Sequence, residues 1–318
     1  MTTTLLNKYK PILFKDFIID PKIIILLKSF INLNYLNLIL IGPDCCGKST
    51  LLKSIIYEYY GTRDIVEGNI LVINNLSEQG ISFYRNEVKT FCQIPSQIIG
   101  KKKFIVVDDI EQISEQSQQV FRNCIDKYSH NVNFITTGKN IQKIVESLQS
   151  RLNIVKLPPI PIDNMKIHLK KIITQENVQV ANDVIDFIIR VSNNSLRLQI
   201  NYIEKFKLLD IPITIDLAKK LCCNISYTIF ENYTNAVFDK DTINAIKIIN
   251  TIYDNGYSVM DILDNYFEYI KITDKIDEKT KYVFIKLIAT CINRFHAQNE
   301  HCVELALLTY EFIKVLDL

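Results

Sequence analysis

The stretch Gly42-Pro43-Asp44-Cys45-Cys46-Gly47-Lys48-Ser49-Thr50 constrains this chain more than any other. It fits the pattern G-x-x-x-x-G-K-[ST]. The apolar run Leu38–Ile41 leads in, and a helical face of Leu51, Leu52, Ile55, Ile56 and Tyr59 leads out. That order demands a strand, a tight loop and a helix. Glycines at both ends of the loop let backbone N–H groups curl round an anion, and the helix N-terminus adds partial positive charge. Such a loop is built for phosphate. Lys48 is placed to reach the β- and γ-phosphates of a nucleoside triphosphate, and the Ser49 hydroxyl to ligate Mg²⁺. All nine residues from Gly42 to Thr50 are therefore candidate nucleotide-binding residues.

Four further runs are apolar on consecutive residues: Ile70–Ile73, Phe104–Val107, Asn133–Thr136 and Ile154–Leu157. Strands buried on both faces read this way. Before Asn133, Ser114 opens a helix with the face Val120, Phe121, Cys124, Ile125 and Tyr128. Alternating strands and helices imply an α/β fold, a parallel sheet flanked by helices, with the ligand at the carboxyl ends of the strands. Pro158, Pro159 and Pro161 break the pattern and set a domain boundary near residue 161. Beyond it the period becomes helical, with faces Val184, Phe187, Ile188, Val191 and Leu196, Ile200, Ile203. A second break at Ile211-Pro212 precedes a short helix ending near Cys222. No proline follows Pro212 and only one glycine, Gly256, so residues 226–318 are expected to be almost purely helical.

Composition narrows the function classes. At 48% hydrophobic and 23% charged, the 318 residues suit a soluble globular protein. A net charge of +2 points to neither an acidic nor a basic partner, so any nucleic-acid contact has to come from a local patch. Lysine is abundant throughout, so the run Lys101-Lys102-Lys103 by itself carries little meaning. The eight cysteines form no C-x-x-C pair, which suits a reduced, intracellular protein without a zinc knuckle. Cys291, His296, His301 and Cys302 are spaced so that a helix scatters them around its axis, which argues against a metal cluster. The N-terminus lacks the apolar core of a signal peptide, Lys22 and Lys28 interrupt the first apolar run, and no membrane association is expected.

Two further features carry chemistry. The run Phe104–Val107 ends in Asp108-Asp109, the first placed to hold Mg²⁺ through water and the second to orient an attacking water. The chain has only seven arginines. In a lysine-biased sequence an arginine marks a place where a planar, always-charged fork is useful. Gln149-Ser150-Arg151 and Ser195-Leu196-Arg197 are two such places.

In order along the chain, these segments resemble a replication factor C small subunit, a clamp-loader ATPase of the AAA+ class. Asn7-Lys8-Tyr9-Lys10-Pro11 is similar to the family's E-K-Y-R-P, Leu76-Ser-Glu-Gln-Gly80-Ile81 to its S-D-E-R-G-I stretch, and Asp108-Asp109-Ile110-Glu111 to its D-E-A-D box. Gln118-Gln119-Val120-Phe121-Arg122 resembles Q-Q-A-L-R, Asp126-Lys127-Tyr128 resembles E-K-Y, Ser150-Arg151 the start of S-R-C, and Ser195-Leu196-Arg197 the sensor-2 segment. The resemblance implies an AAA+ base over 1–161, a helical lid over 162–225 and a helical collar over 226–318. It implies ATP and Mg²⁺ as cofactors, with Tyr9 and Pro11 against the adenine and Arg197 on the bound nucleotide. It assigns Lys139, with Asn140 beside it, to sensor 1, and makes Arg151 act on ATP held by a neighbouring subunit.

The function so implied is that of one subunit in a hetero-oligomeric ring that opens a sliding clamp and places it on primer–template DNA. Its place would be intracellular, at sites of replication: the nucleus, or the cytoplasm for a viral protein. The clamp-facing segment would be Phe91–Ile99, presenting Phe91, Ile94, Ile98 and Ile99. Departures from the pattern matter. Asp109 stands for the catalytic Glu, Lys139 for the sensor Asn, and Leu152 for the S-R-C cysteine, while Asp44-Cys45-Cys46 replaces small loop residues. Sound nucleotide binding with slow hydrolysis is the expectation. Two alternatives stay open. One is a structural subunit that serves as scaffold and arginine donor. The other is a different AAA+ machine, a replication initiator or a branch-migration helicase, against which the helical C-terminal third, lacking a winged-helix pattern, argues.

Overall fold

The computed structural model describes residues 4–62, 68–73, 81–223, 225–295 and 299–316, without the side chains of 81–85. The expected Leu76–Gly80 motif therefore lies outside the described residues. The chain forms two compact units. The first comprises residues 1–167 and 195–197; the second comprises 168–194 and 198–318.

The first unit is built on five strands: β1 (Leu38–Ile41), β2 (Ile70–Ile73), β3 (Lys103–Val107), β4 (Val132–Gly138) and β5 (Asn153–Lys156). All pair in parallel in the order β2-β3-β4-β1-β5. The register sets Ile41 opposite both Gly138 and Lys156, and Val107 opposite Thr136. The carboxyl ends of β1, β3 and β4 thus come level, and Gly42, Asp108 and Lys139 emerge along one rim. The longer helices of this unit are α1 (Pro21–Asn32), α2 (Lys48–Tyr60), α3 (Ile81–Gln93) and α4 (Glu115–Tyr128), beside single turns at Leu5–Lys8 and Glu146–Gln149.

Alternation within β1 explains why its sequence is apolar throughout. Leu38 and Leu40 join a core with Phe14, Leu27, Leu51 and Ile55, whereas Ile39 and Ile41 join a separate one with Cys92, Phe121 and Ile125. Local signals fix the helix starts. Asp20 accepts from the Lys22 N–H just before Pro21, and Ser114 accepts from the Ser117 N–H. Strand β4 runs past the expected Thr136 to Gly138, because Thr136 and Thr137 are buried and paired despite their hydroxyls.

The lysine run has a structural role that its composition conceals. Lys101 Nζ donates to Tyr59 O at 2.7 Å, Lys102 Nζ to Ser129 O at 2.9 Å, and Lys103 Nζ to Phe91 O at 2.8 Å and Ile94 O at 3.2 Å. These carbonyls lie at the C-terminal ends of α2, α4 and α3. Each ammonium therefore meets orphan carbonyls and the negative end of a different helix dipole.

The second unit is helical: α5 (Ile162–Gln175) leads into it, followed by α6 (Asn182–Val191), α7 (Leu196–Leu209), α8 (Ile215–Leu221) and α9 (Tyr227–Phe238). The last four helices are α10 (Thr242–Asp254), α11 (Val259–Ile272), α12 (Glu278–Phe295) and α13 (Val303–Val315). One continuous core joins Val184, Ile188 and Phe206 to Phe230, Tyr266, Phe284 and Phe312. Aromatic packing dominates it: the Phe284 and Phe312 rings lie 4.3 Å apart, and the buried Tyr233 hydroxyl is bonded to Thr309 at 2.8 Å. Glu231 ties three segments together, accepting from Lys219 at 2.7 Å and Lys275 at 3.3 Å. No helix of the described residues is long and apolar enough to cross a membrane.

Candidate nucleotide site

The loop after β1 has the backbone its sequence demands. A Cβ on Gly42 would stand 2.6 Å from Leu157 O, so only glycine fits there. Gly47, which precedes α2, has φ 93°, and Cys45 also takes the left-handed region at φ 58°. Lys48 is the first residue of α2 and is buried. Its Nζ donates to Gly42 O and Pro43 O, both at 2.8 Å, so the ammonium is cradled by the loop.

Beside it, Ser49 Oγ donates to Asp108 Oδ1 at 3.0 Å. Thr137 Oγ1 donates to the same oxygen at 2.5 Å and accepts the Asp109 N–H at 2.9 Å. A hydroxyl and a carboxylate, both hard oxygen donors, thus converge next to a lysine. That donor set fits Mg²⁺ bridging to phosphate. Ser49 and Asp108 would hold the ion, which would neutralise phosphate charge there.

Asp109 sits at φ 50°, a left-handed conformation that Asp tolerates better than most residues. Burial pushes its carboxyl above the ordinary range, and the Asp108 charge adds to this, against the opposing pull of Lys139 and Lys48. Lys139, at the end of β4, reaches across the rim to Asp44, with Nζ 2.8 Å from Oδ1 and 3.0 Å from Oδ2. This bond holds the Asp44 carboxyl below its usual range. The N–H groups of Lys139 and Asn140 both donate to Glu111 Oε2 at 2.8 Å. The Asn140 side-chain oxygen accepts from the Gln142 N–H at 2.9 Å and caps the turn that follows. Cys46 is buried, which pushes its thiol up. Thr50 follows Ser49 in the first turn of α2.

The N-terminal segment packs on this same helix. Phe14 is buried in the α2 core and its N–H donates to Glu58 at 3.3 Å, while Tyr9 and Pro11 upstream are half-buried. Ser195 and Arg197 belong to the same unit. Ser195 Oγ donates to Cys45 Sγ at 3.1 Å, and the positive charge of exposed Arg197 reaches both Asp44 and Lys10.

Two other expected sites lie elsewhere. Arg151 precedes β5, whose start pairs with the start of β1. It is therefore at the opposite rim of the sheet from the phosphate loop. Its Nε lies 2.6 Å from Asp126 Oδ1, and its Nη1 donates to Ser147 O at 2.6 Å and Ser150 Oγ at 3.1 Å. Asp126 also pairs with Arg122 at 3.7 Å. In the Phe91–Ile99 segment, Ile94 is 53% exposed and Ile99 fully exposed, Ile98 is half-buried, and Phe91 packs against the α4 side of the sheet. Asn131 Nδ2 donates to Cys92 O and Ile94 O, and Asn69 accepts the Gln97 N–H, so the segment is pinned at both ends.

Sequence reasoning missed Thr137, Glu111 and the bonding role of Gln118. Buried Gln118 donates to Ile113 O at 3.1 Å and accepts the Val145 N–H at 2.9 Å, linking the turn after Asp109 to the segment that follows Lys139. Glu111 and Gln118 lie inside recognisable motifs, so a signal for them was present; Thr137 needed the strand register.

Known proteins match this arrangement in two parts. A profile described as an AAA domain covers residues 34–165, and one described as a replication factor C C-terminal domain covers 226–296. A replication factor C small subunit from Methanococcus maripaludis is 26% identical, over 95% of this chain and 96% of its own length. The chain has the AAA+ P-loop fold and is similar to replication factor C small subunits over nearly its whole length. Replication factor C subunit 4 of Saccharomyces cerevisiae is 25% identical, over 89% of this chain and 87% of its own. Among solved structures, the Thermotoga maritima RuvB Holliday junction branch migration motor aligns with TM-score 0.52 and 14% identity, covering 72% of this chain and 79% of that one. A RuvB variant of the same organism reaches 0.55 at 15% identity, covering 88% and 98%. At such identity the RuvB likeness establishes the AAA+ fold alone. The AAA domain with its phosphate loop implies nucleotide binding with Mg²⁺.

Proposed function

We propose that this chain is an ATP-binding subunit of a hetero-oligomeric clamp loader, which places a ring-shaped sliding clamp on primer–template DNA. The observation that carries the reading is the extent of the likeness. It runs through the nucleotide unit and on into the C-terminal helices, with relatives named replication factor C aligned over nearly the whole chain. An AAA+ fold alone would serve a RuvB-like motor equally well. In this reading residues 162–225 act as the lid and 226–318 as the collar that joins neighbouring subunits.

Within the site, the loop holds the triphosphate, Lys48 meets its β- and γ-oxygens, and Ser49 and Asp108 hold Mg²⁺. Asp109 orients water, its raised carboxyl making it a slightly better base than an ordinary Asp. Tyr9 and Pro11 lie against the adenine, and Arg197 contacts the bound nucleotide. Arg151 serves the next subunit. Its place at the rim opposite its own phosphate loop supports action in trans, and Asp126 holds its fork ready. A second reading, in which the chain is chiefly scaffold and arginine donor, is favoured by the short carboxylate at Asp109 and by the engagement of Lys139 with Asp44.

Clamp contact is assigned to the exposed Ile94 and Ile99, with half-buried Ile98 and Phe91 supporting them. The test is capture of clamp by the assembled loader in the presence of ATP. Ile94→Ser with Ile99→Ser should abolish capture with an unchanged melting temperature. Unimpaired capture would remove this surface from the reading, and failure of the chain to assemble with any loader subunit would remove the reading itself.

A further inference from the structure

The mouth of the phosphate loop carries a charge arrangement that the motif does not call for. Asp44 is the third residue of the loop, and both of its oxygens are within 3.0 Å of Lys139 Nζ. Lys139 follows directly on the end of β4, the strand that pairs with β1. Its ammonium also feels the charges of Asp109 and Glu111, and in return it lowers the Asp109 carboxyl. One cation is therefore bonded to the loop carboxylate while lying near the water-orienting one. Lys48 is differently engaged, held inside by Gly42 O and Pro43 O. Lys48 and Arg197 act on Asp44 only as more distant charges.

Elementary electrostatics makes this a competition. A terminal phosphate arriving between Asp44 and Asp109 meets two carboxylates, and the ammonium best placed to offset them is already bonded to the first. The pair is open to solvent, with side chains 67% exposed at Asp44 and 44% at Lys139. Exposed pairs of this kind are weak and exchange partners readily. A phosphate dianion outbids a single carboxylate for the ammonium, whereas a nucleoside diphosphate, whose last phosphate stays within the loop, gives Lys139 no reason to leave.

We propose that Asp44 is a specificity-determining residue: it holds Lys139 until a terminal phosphate draws the ammonium away, so that this exchange sets affinity for triphosphate and leaves affinity for diphosphate nearly untouched. The proposal rests on the nucleotide-site reading above. Asp44 tempers ATP binding in two ways, since its bond to Lys139 must break and its charge then faces the phosphate.

The experiment is calorimetric titration of the full chain with Mg-ATP and Mg-ADP, in the parent and in Asp44→Asn, Lys139→Met and Lys48→Ala. Asp44→Asn should tighten ATP by about fivefold, the scale of one exposed charge pair, with ADP changed less than about twofold. Lys139→Met should weaken ATP by at least as much and again spare ADP. A second readout is free of affinity. The Asp44 carboxyl carbon, followed by NMR, should titrate below the usual range in the free chain, shift on saturation with Mg-ATP, and stay in place with Mg-ADP. Equal responses to ATP and ADP, or an Asp44→Asn chain that binds ATP no tighter than the parent, overturn the exchange. A parent that binds neither nucleotide, or a Lys48→Ala chain that binds ATP as the parent does, overturns the nucleotide site itself and the exchange with it.

Discussion

Replacing Lys103 with Met is the most demanding test of how the sheet holds the Phe91–Ile99 segment. Lys103 is 1% exposed, its ammonium lies 3.6 Å above the centre of the Phe91 ring, and it donates to two carbonyls at the end of α3. Burial lowers its affinity for the proton, so the charge is held there at a cost. Charge-assisted hydrogen bonds contribute about 1.5–3 kcal/mol each, and a desolvated cation–π contact adds about 1–2 kcal/mol. Against these stands the desolvation of the ammonium, of several kcal/mol, which Met avoids. The balance leaves a loss of about 2–3 kcal/mol, because two carbonyls lose their donor while Met fills most of the space. At about 2–4 °C per kcal/mol, the first unit should melt roughly 5–10 °C lower. The loss should be local. The Ile94 N–H, which donates to Thr90 O at 3.3 Å in the last turn, should exchange with solvent faster. The measurements are a thermal melt and amide hydrogen exchange. A Lys103→Met chain that melts within about 0.5 kcal/mol of the parent, with unchanged Ile94 exchange, would show that burying the charge offsets its bonds and would refute the reasoning.

Three further outcomes are expected. Asp109→Glu should raise steady-state ATP turnover by about tenfold by bringing the carboxylate closer to water, while costing about 1 kcal/mol of stability because Glu tolerates φ 50° less well; a fall in turnover would mean that Asp109 is already well placed. Arg151→Ala should lower turnover of the assembled complex by about a thousandfold at the neighbouring site while leaving this chain's own ATP affinity unchanged, and a loss of its own affinity would place Arg151 in cis. For Glu231, burial raises the carboxyl but Lys219 and Lys275 more than offset this, so it lies below its ordinary 4.5 in the folded chain. A depressed folded-state value means that the stabilisation is present above the ordinary value and is lost as pH falls through the lowered one. Glu231→Gln should therefore cost about 1–2 kcal/mol at neutral pH and converge with the parent in acid; a constant difference across the melting series would exclude this origin.

The sequence disclosed what depends on neighbours along the chain. The phosphate loop, the apolar strands, the Ser114 cap and the proline break can each be read from a window of a dozen residues. What stayed hidden depends on pairing. Thr137 lay just beyond the expected strand Asn133–Thr136, yet the alignment of β3 with β4 brings its hydroxyl to Asp108 and to the Asp109 N–H. Lys139 was legible as a departure from a sensor Asn, but its bond to Asp44 joins two strand ends whose adjacency only the order β4-β1 creates. The Phe91–Ile99 segment is apolar at both ends in sequence; the fold keeps Phe91 in the last turn of α3 against a core and leaves Ile99 in solvent, a division that falls where the helix gives way to an irregular loop with no periodicity.

The three lysines at the start of β3 also limit how this protein can change length. Successive residues reach three different helices, so their order is tied to the phase of the strand they introduce. Inserting or deleting one residue between Lys101 and Phe104 would hand an ammonium to the wrong helix and, because side chains alternate along β3, would exchange its two buried faces as well. The preceding stretch from Pro95 to Gly100 carries lighter ties, from the Gln97 N–H to Asn69 and from the Lys101 N–H to the Ile98 carbonyl. Chain length is therefore frozen from Lys101 to Phe104, whereas the exposed Ile99 side chain can be exchanged without touching the sheet that carries the nucleotide site.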